Sequence, residues 1–266
     1  MSNFFDLRRF GKYLLYDVKT AFADCRASLL VMSLIPVIWF TVTQLVSLVT
    51  TGGFTHIDEG IKMPVFVAVV IICVISFPVR HYGQLTDRRR GSDWLMIPAS
   101  GFEKFLSLLL VCCVLLPLCL SSVYLLCDYL MSFVPRYGAV TFTLRDAFSL
   151  KSMGDSEIVL GVVPVVVGWL NWCENILVFA LGALVFKKAK VPYTILSVFG
   201  IIFVLVAGIG LLIDNHVFES DACNMLEGMT AERFAVIINV LANGLYLLVF
   251  TLLNLGLYFR IKAIKH

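Results

Sequence analysis

Six apolar stretches, each long enough to cross a lipid bilayer, constrain this chain more than any other feature. A spanning helix needs about 20 mostly apolar residues. Such stretches lie at about 28–49, 64–82, 105–126, 165–186, 191–213 and 234–258. Within hydrocarbon every backbone polar group must be satisfied inside the segment, so each stretch is predicted as a helix. The expected fold is all-α: a polytopic membrane protein with six transmembrane helices in a single transmembrane domain spanning residues 1–266. Composition agrees. The chain is 60% hydrophobic and 15% charged, whereas soluble domains are about 45–50% apolar and about 25% charged. Pro36 and Pro117 fall inside the first and third stretches. Prolines are tolerated there when neighbouring helices satisfy the carbonyls they free. The second stretch has a short core, Pro64–Val79, which can extend to Leu85 with His81 and Gln84 at the interface. The fourth begins somewhere between Ile158 and Trp169.

The charges sort by loop. Sixteen of the 21 Lys and Arg residues fall in alternate loops, in groups spanning Arg8–Arg26, Arg80–Lys104, Lys187–Lys190 and Arg260–Lys265. The opposite loops carry Lys62, Arg136, Arg145, Lys151 and Arg233 together with most of the acids. The positive-inside rule predicts both termini in the cytoplasm, and six spans match that parity. Ahead of the first span, the charges from Asp6 to Asp24 do not form a cleavable signal peptide pattern. In residues 3–26, Phe4, Leu7, Leu14, Leu15, Val18 and Phe22 recur at helical spacing, and Arg8, Arg9, Lys12 and Lys19 occupy another sector. That pattern predicts an amphipathic interfacial helix lying on the membrane; the alternative is a plain cytoplasmic tail.

The loop from Arg80 to Lys104 is the most distinctive polar stretch. It carries Arg80, Arg88, Arg89, Arg90 and Lys104, turns amphipathic at Trp94, Leu95, Met96 and Ile97, breaks at Pro98, and restarts at Ser100. Ser100-Gly-Phe-Glu103 has the spacing of a capping box, in which Ser and Glu each bond the other's backbone N–H. A helix is therefore predicted from Gly101. A short amphipathic piece held between a basic cluster and a capped helix start suits contact with a partner protein; an ordinary positive-inside loop is the other reading.

Other candidates are sparser. Glu174 is the sole acid inside an apolar stretch, and ionisable groups at membrane depth are costly. It is either interfacial and structural or in contact with a substrate. Asn239, Asn243 and Asn254 share one sector of the sixth helix, with Gly244 and Gly256 nearby; they serve either helix packing or a polar path. Cys127 and Cys223 are the two cysteines near the predicted outer surface, where a disulfide is possible. The sequence contains no G-x-S-x-G, HExxH or P-loop motif, and no Cys or His at zinc spacing. No metal, other cofactor or nucleic-acid partner is expected, and the chain is not expected to be an enzyme. An intramembrane enzyme would rest on Glu174.

Two segments carry a family resemblance. Trp94-Leu-Met-Ile-Pro-Ala-Ser-Gly-Phe-Glu-Lys104 resembles the segment after the second span of ABC-2-type transporter permeases, and Leu181-Gly-Ala-Leu-Val-Phe-Lys-Lys188 resembles the end of their fourth span. The six-span layout with an amphipathic N-terminal helix is similar as well. The resemblance implies a permease subunit of an exporter in a bacterial inner membrane. It further implies a homodimer or a heterodimer with a related permease, with ATP hydrolysed on a separate ATP-binding subunit. Residues 4–22 would be the connecting helix. Arg88, Arg89, Arg90, Trp94, Leu95, Ile97, Pro98, Ser100 and Glu103 would belong to the coupling element. Ile97 stands where such permeases often have leucine, and Glu174 matches no family motif. The alternative is a six-span scaffold or accessory protein without transport.

Overall fold

The computed structural model describes residues 5–56, 59–86, 91, 94, 96–140, 151–152, 161–162, 164–214 and 231–264. At 59, 151–152, 161–162, 164–167, 209–214 and 231–243 it describes the backbone alone.

The chain opens with α1 (Leu7–Ser33) and α2 (Ile35–Thr51), which meet at a 45° bend. Asp6 caps α1 by accepting from the Arg8 N–H at 3.0 Å. At the bend Leu34 has φ −86° and ψ 3°, and Pro36 follows in the first turn of α2. Proline fits a first turn because its missing N–H is not needed there. The amphipathic helix predicted over 3–26 therefore does not stop before the first span; it runs on to Ser33.

Next come α3 (Glu59–His81) and a 3-10 turn, Tyr82–Thr86. The third stretch is one rod built from α4 (Gly101–Leu109), a π-helical segment (Leu110–Leu115) and α5 (Leu116–Met131). A two-residue antiparallel pair, β1 (Lys151–Ser152) with β2 (Gly161–Val162), precedes α6 (Pro164–Val185). The chain ends with α7 (Lys190–Asp214) and α8 (Ala231–Ala263). Among the described residues, five helices are long and apolar enough to cross a membrane, and six if bent α1–α2 counts as one. This is an all-α, multi-pass membrane architecture. The fourth span starts at Pro164, near the middle of the predicted window.

The π segment explains how the third span accommodates Pro117. A π turn bonds each carbonyl to the N–H five residues on, an α turn to that four on. Pro117 stands five after Cys112 and four after Cys113, and it has no N–H. Two indoles of α6 supply the missing donors: Trp172 Nε1 donates to Cys112 O at 3.0 Å, and Trp169 Nε1 to Cys113 O at 2.7 Å.

Helix α6 is the hub of the bundle, packed against α3, α7, α8, the 3-10 turn and the π segment. Its Ile176, Leu177, Ala180 and Leu184 are fully buried. Gly182 lets α7 approach closely: a Cβ there would sit 1.9 Å from Thr194 Oγ1.

The two ends of the bundle differ. At one end gather the start of α1, the end of α3, the start of α4, the α6–α7 turn and the end of α8. Lys190 Nζ donates there to Gly83 O, and to Thr86 Oγ1 at 2.8 Å, while Arg260 Nε donates to Leu184 O at 3.0 Å. At the other end Lys62 sits 4.0 Å over the Tyr137 ring, and Tyr137 donates to the fully buried Asp128 carboxylate. Burial, then the hydrogen bond to Asp128, push the Tyr137 phenol above its ordinary pKa.

Candidate coupling site at the basic end

Ser100 sits in extended backbone and caps α4 as the sequence predicts. Its Oγ accepts from the Glu103 N–H at 3.2 Å, and Glu103 Oε2 accepts from the Ser100 N–H at 2.8 Å. The cap, however, is only part of what Glu103 does. Its carboxylate is fully buried and also receives the N-terminal helix. Arg9 donates through Nε to Oε2 at 2.9 Å and through Nη2 to Oε1 at 2.7 Å, and the Asp6 N–H donates to Oε1 at 3.0 Å. A planar guanidinium fork on a carboxylate is geometrically specific as well as strong. One side chain thus ties together the start of α4, the residues before it and the start of α1.

A second tie lies beside the first. Trp94 Nε1 donates to the buried Tyr13 hydroxyl at 3.0 Å. Lys104 Nζ donates to Trp94 O at 2.8 Å and stands 4.1 Å over the Trp94 ring. The amphipathic piece of the loop is therefore held by one residue from α1 and one from α4.

The third tie is a buried polar cluster. Asp17 accepts from Ser107 Oγ at 2.6 Å and from the Tyr82 hydroxyl at 3.2 Å, and its other oxygen lies 3.2 Å from His81 Nε2. The second ring nitrogen of His81 lies 3.0 Å from Asp24. Arg80 donates to Ser28. These contacts join α1 to the end of α3, the 3-10 turn and α4. A buried carboxylate is stable only when its lone pairs are met, and Asp17 meets its own with three partners from three elements.

Along α1, the step from Asp6 to Asp17 is about 16 Å at about 1.5 Å per residue. Their partners Glu103 and Ser107 are only about 6 Å apart along α4. The first half of α1 therefore crosses the end of the bundle obliquely. Its protein-facing row is Phe10, Tyr13, Asp17, Ala21 and Cys25. Leu7 and Leu15, from the predicted apolar face, are 74% and 58% exposed.

Of the sequence-predicted coupling residues, Trp94, Ser100 and Glu103 come together here. Ile97 is half-buried and Pro98 exposed, next to Met96, itself 81% exposed. Arg88, Arg89, Arg90 and Leu95 lie outside the described residues. Arg9, Tyr13, Asp17, Asp24, His81, Tyr82 and Ser107 were not anticipated. The one available signal was Asp17, an acid in the same helical row as Phe10, Tyr13 and Ala21.

The remaining candidates sit elsewhere. Glu174 is half-buried on α6. The Tyr246 hydroxyl donates to Leu170 O at 2.6 Å. Glu174 is ten residues into α6, about 15 Å from its start, twice the depth that a start at Trp169 would give. Asn254 Nδ2 donates to Phe250 O in its own helix at 2.8 Å. Its Oδ1 is buried without a partner among the described residues. Asn239 and Asn243 lie on the part of α8 described by backbone alone, and Cys223 lies outside the described residues, so its pairing with Cys127 does too. Among the described residues no three His, Cys, Asp or Glu side chains gather as a metal site. The site fixes one loop to two helix ends.

No family model, curated protein or solved structure matches the chain.

Proposed function

We propose that this chain is the membrane-spanning permease subunit of an ABC-type exporter, coupling ATP hydrolysis on a separate subunit to translocation of a substrate. In this reading it dimerises with itself or a related permease, lies in a bacterial inner membrane, and keeps both termini and the basic end of the bundle in the cytoplasm. The positive-inside rule supports that orientation.

The observation that carries the reading is the double use of Glu103, which caps α4 and grips Arg9 of α1. A partner that displaces the segment from Trp94 to Ser100 pulls on Tyr13 and Arg9 as well as on α4. ATP-driven closure of the partner would therefore move the N-terminal helix and the third span together. The Asp17–His81–Asp24 cluster extends the same motion to α3. Two packed arrangements of these helices, biased by the partner, would be the inward and outward states.

The test is mild-detergent purification from the native cell. The expected result is a stoichiometric ATP-binding subunit, lost when Arg88, Arg89, Arg90 and Trp94 are replaced together by alanine. A chain that purifies alone, or only with its own copies, from an extract with that subunit intact would support a six-span scaffold instead.

A further inference from the structure

Helix α1 separates its charges by face. Asp17 and Asp24 turn their carboxylates to the bundle, while Asp6 caps α1 with its carboxylate and meets the bundle through its backbone N–H. Arg8, Lys12, Lys19 and Arg26 are all exposed. At about 100° per residue these four bases fall within a sector of about 40°, on the far side of the helix from the acids. The stripe they form is about 27 Å long. Beside it runs a second exposed stripe, Leu7, Leu15 and Phe22, at 74%, 58% and 36% exposure. A solvated charged face does not explain large apolar side chains exposed alongside it. An in-plane helix at a lipid surface does: the apolar stripe enters the acyl layer while the basic side chains reach up to the phosphates.

We infer that the stripe Arg8–Lys12–Lys19–Arg26 binds acidic phospholipids, with their headgroups on the four cations and their acyl chains against Leu7, Leu15 and Phe22. The occupant follows from charge complementarity. Zwitterionic lipid would satisfy the apolar stripe equally well, but four like charges in one row, with no acid in their sector, attract a net negative surface. The inference requires a chain embedded in a bilayer and does not depend on the permease reading. Because the acids on the other face anchor α1 to α3 and α4, the lipid strip has a mechanical link to the polar junction at the basic end.

The experiment uses the full chain carrying Leu15→Trp, reconstituted in phosphatidylcholine–phosphatidylglycerol vesicles. Indole quenching by acyl-brominated phosphatidylglycerol is compared with that by brominated phosphatidylcholine at the same mole fraction, with the chain lacking Leu15→Trp as background. The expected result is about fivefold stronger quenching by the acidic lipid, the equivalent of one basic side chain near an acidic surface, weakening at high salt. The preference disappears in the combined R8Q, K12Q, K19Q and R26Q variant and survives when the same positions exchange Arg for Lys and Lys for Arg. The charge-keeping variant separates loss of charge from loss of fold. Equal quenching by the two lipids would overturn the headgroup assignment. Quenching by neither would place this face against protein or water and overturn the lipid assignment altogether.

Discussion

Helices α1 and α7 both lie at the edge of the bundle, yet they are held in opposite ways. Over its first half α1 contributes Arg9, Tyr13 and Asp17 to partners on three other elements, and the row it turns inward is almost fully buried. Of the α7 span, 6% is buried, against 44% for its neighbour α6. Phe199, Phe203 and Val204 are 67%, 74% and 68% exposed. What α7 has instead is shape: Thr194 seated against Gly182, and a tether at Lys190. The contrast follows from the solvent. Lipid is as apolar as leucine, so apolar side chains gain little by turning inward, and helices are held by close packing or by polar pairs. Polar pairs therefore mark where this molecule fixes its elements, and among the described residues of α7 the large exposed side chains are hydrophobic.

The sharpest way to break the comparison is at Glu103. Glu103→Ala strands the Arg9 fork and two backbone N–H groups and is expected to cost about 2–3 kcal/mol, after allowing for the partial exposure of Arg9. Chemical denaturation in detergent would measure the loss, and amide exchange would show α1 opening ahead of the remaining helices. An unchanged midpoint would mean that the polar junction does not fix α1. A smaller effect is expected inside the bundle. Trp172→Phe keeps an aromatic but smaller ring and removes the donor to Cys112 O, leaving that carbonyl unmet, at about 1–2 kcal/mol beyond the packing lost with the smaller ring. The same denaturation series checks it, with Trp172→Leu separating ring loss from donor loss. The smallest effect belongs to the lipid face: Phe203→Ala should shift stability by less than about 0.5 kcal/mol. A loss several times larger in the reconstituted chain would show that α7 is covered by another protein surface, and would sharpen the comparison by removing half of it.

The local parts of this structure were legible in the sequence. Five of the six apolar stretches lie in helices that could each span a membrane, the first is broken at the bend between α1 and α2, and the Ser100–Glu103 box formed because its partners are three residues apart. The long-range parts were not. Arg9 and Glu103 are 94 residues apart, and Asp17 and His81 are 64 apart; nothing in either neighbourhood names the other. The protein-facing row of α1 was hidden for a related reason. Apolar periodicity finds the side that avoids water, and in a membrane protein that side can be the one facing lipid. The row turned to the bundle carries Asp17, whose partners all lie on other elements. Pro117 was visible from the start, but the two indoles that meet its freed carbonyls belong to a helix more than fifty residues later.

The π segment also sets the phase of the third span. A wider turn takes up one residue more than an α turn, so everything after it is rotated by about 100° from where an unbroken helix would place it. Tyr124 and Asp128, which point inward at 2% and 0% exposure, owe their direction to that offset as well as to their own positions. A helical wheel drawn straight through residues 101–131 is in step with the first half of the rod and about a quarter-turn out of step with the second. Excising a single residue between 110 and 115 would restore a regular helix and carry Tyr124 away from Phe66 of α3, whose ring now lies 4.8 Å from its own, by the same quarter-turn.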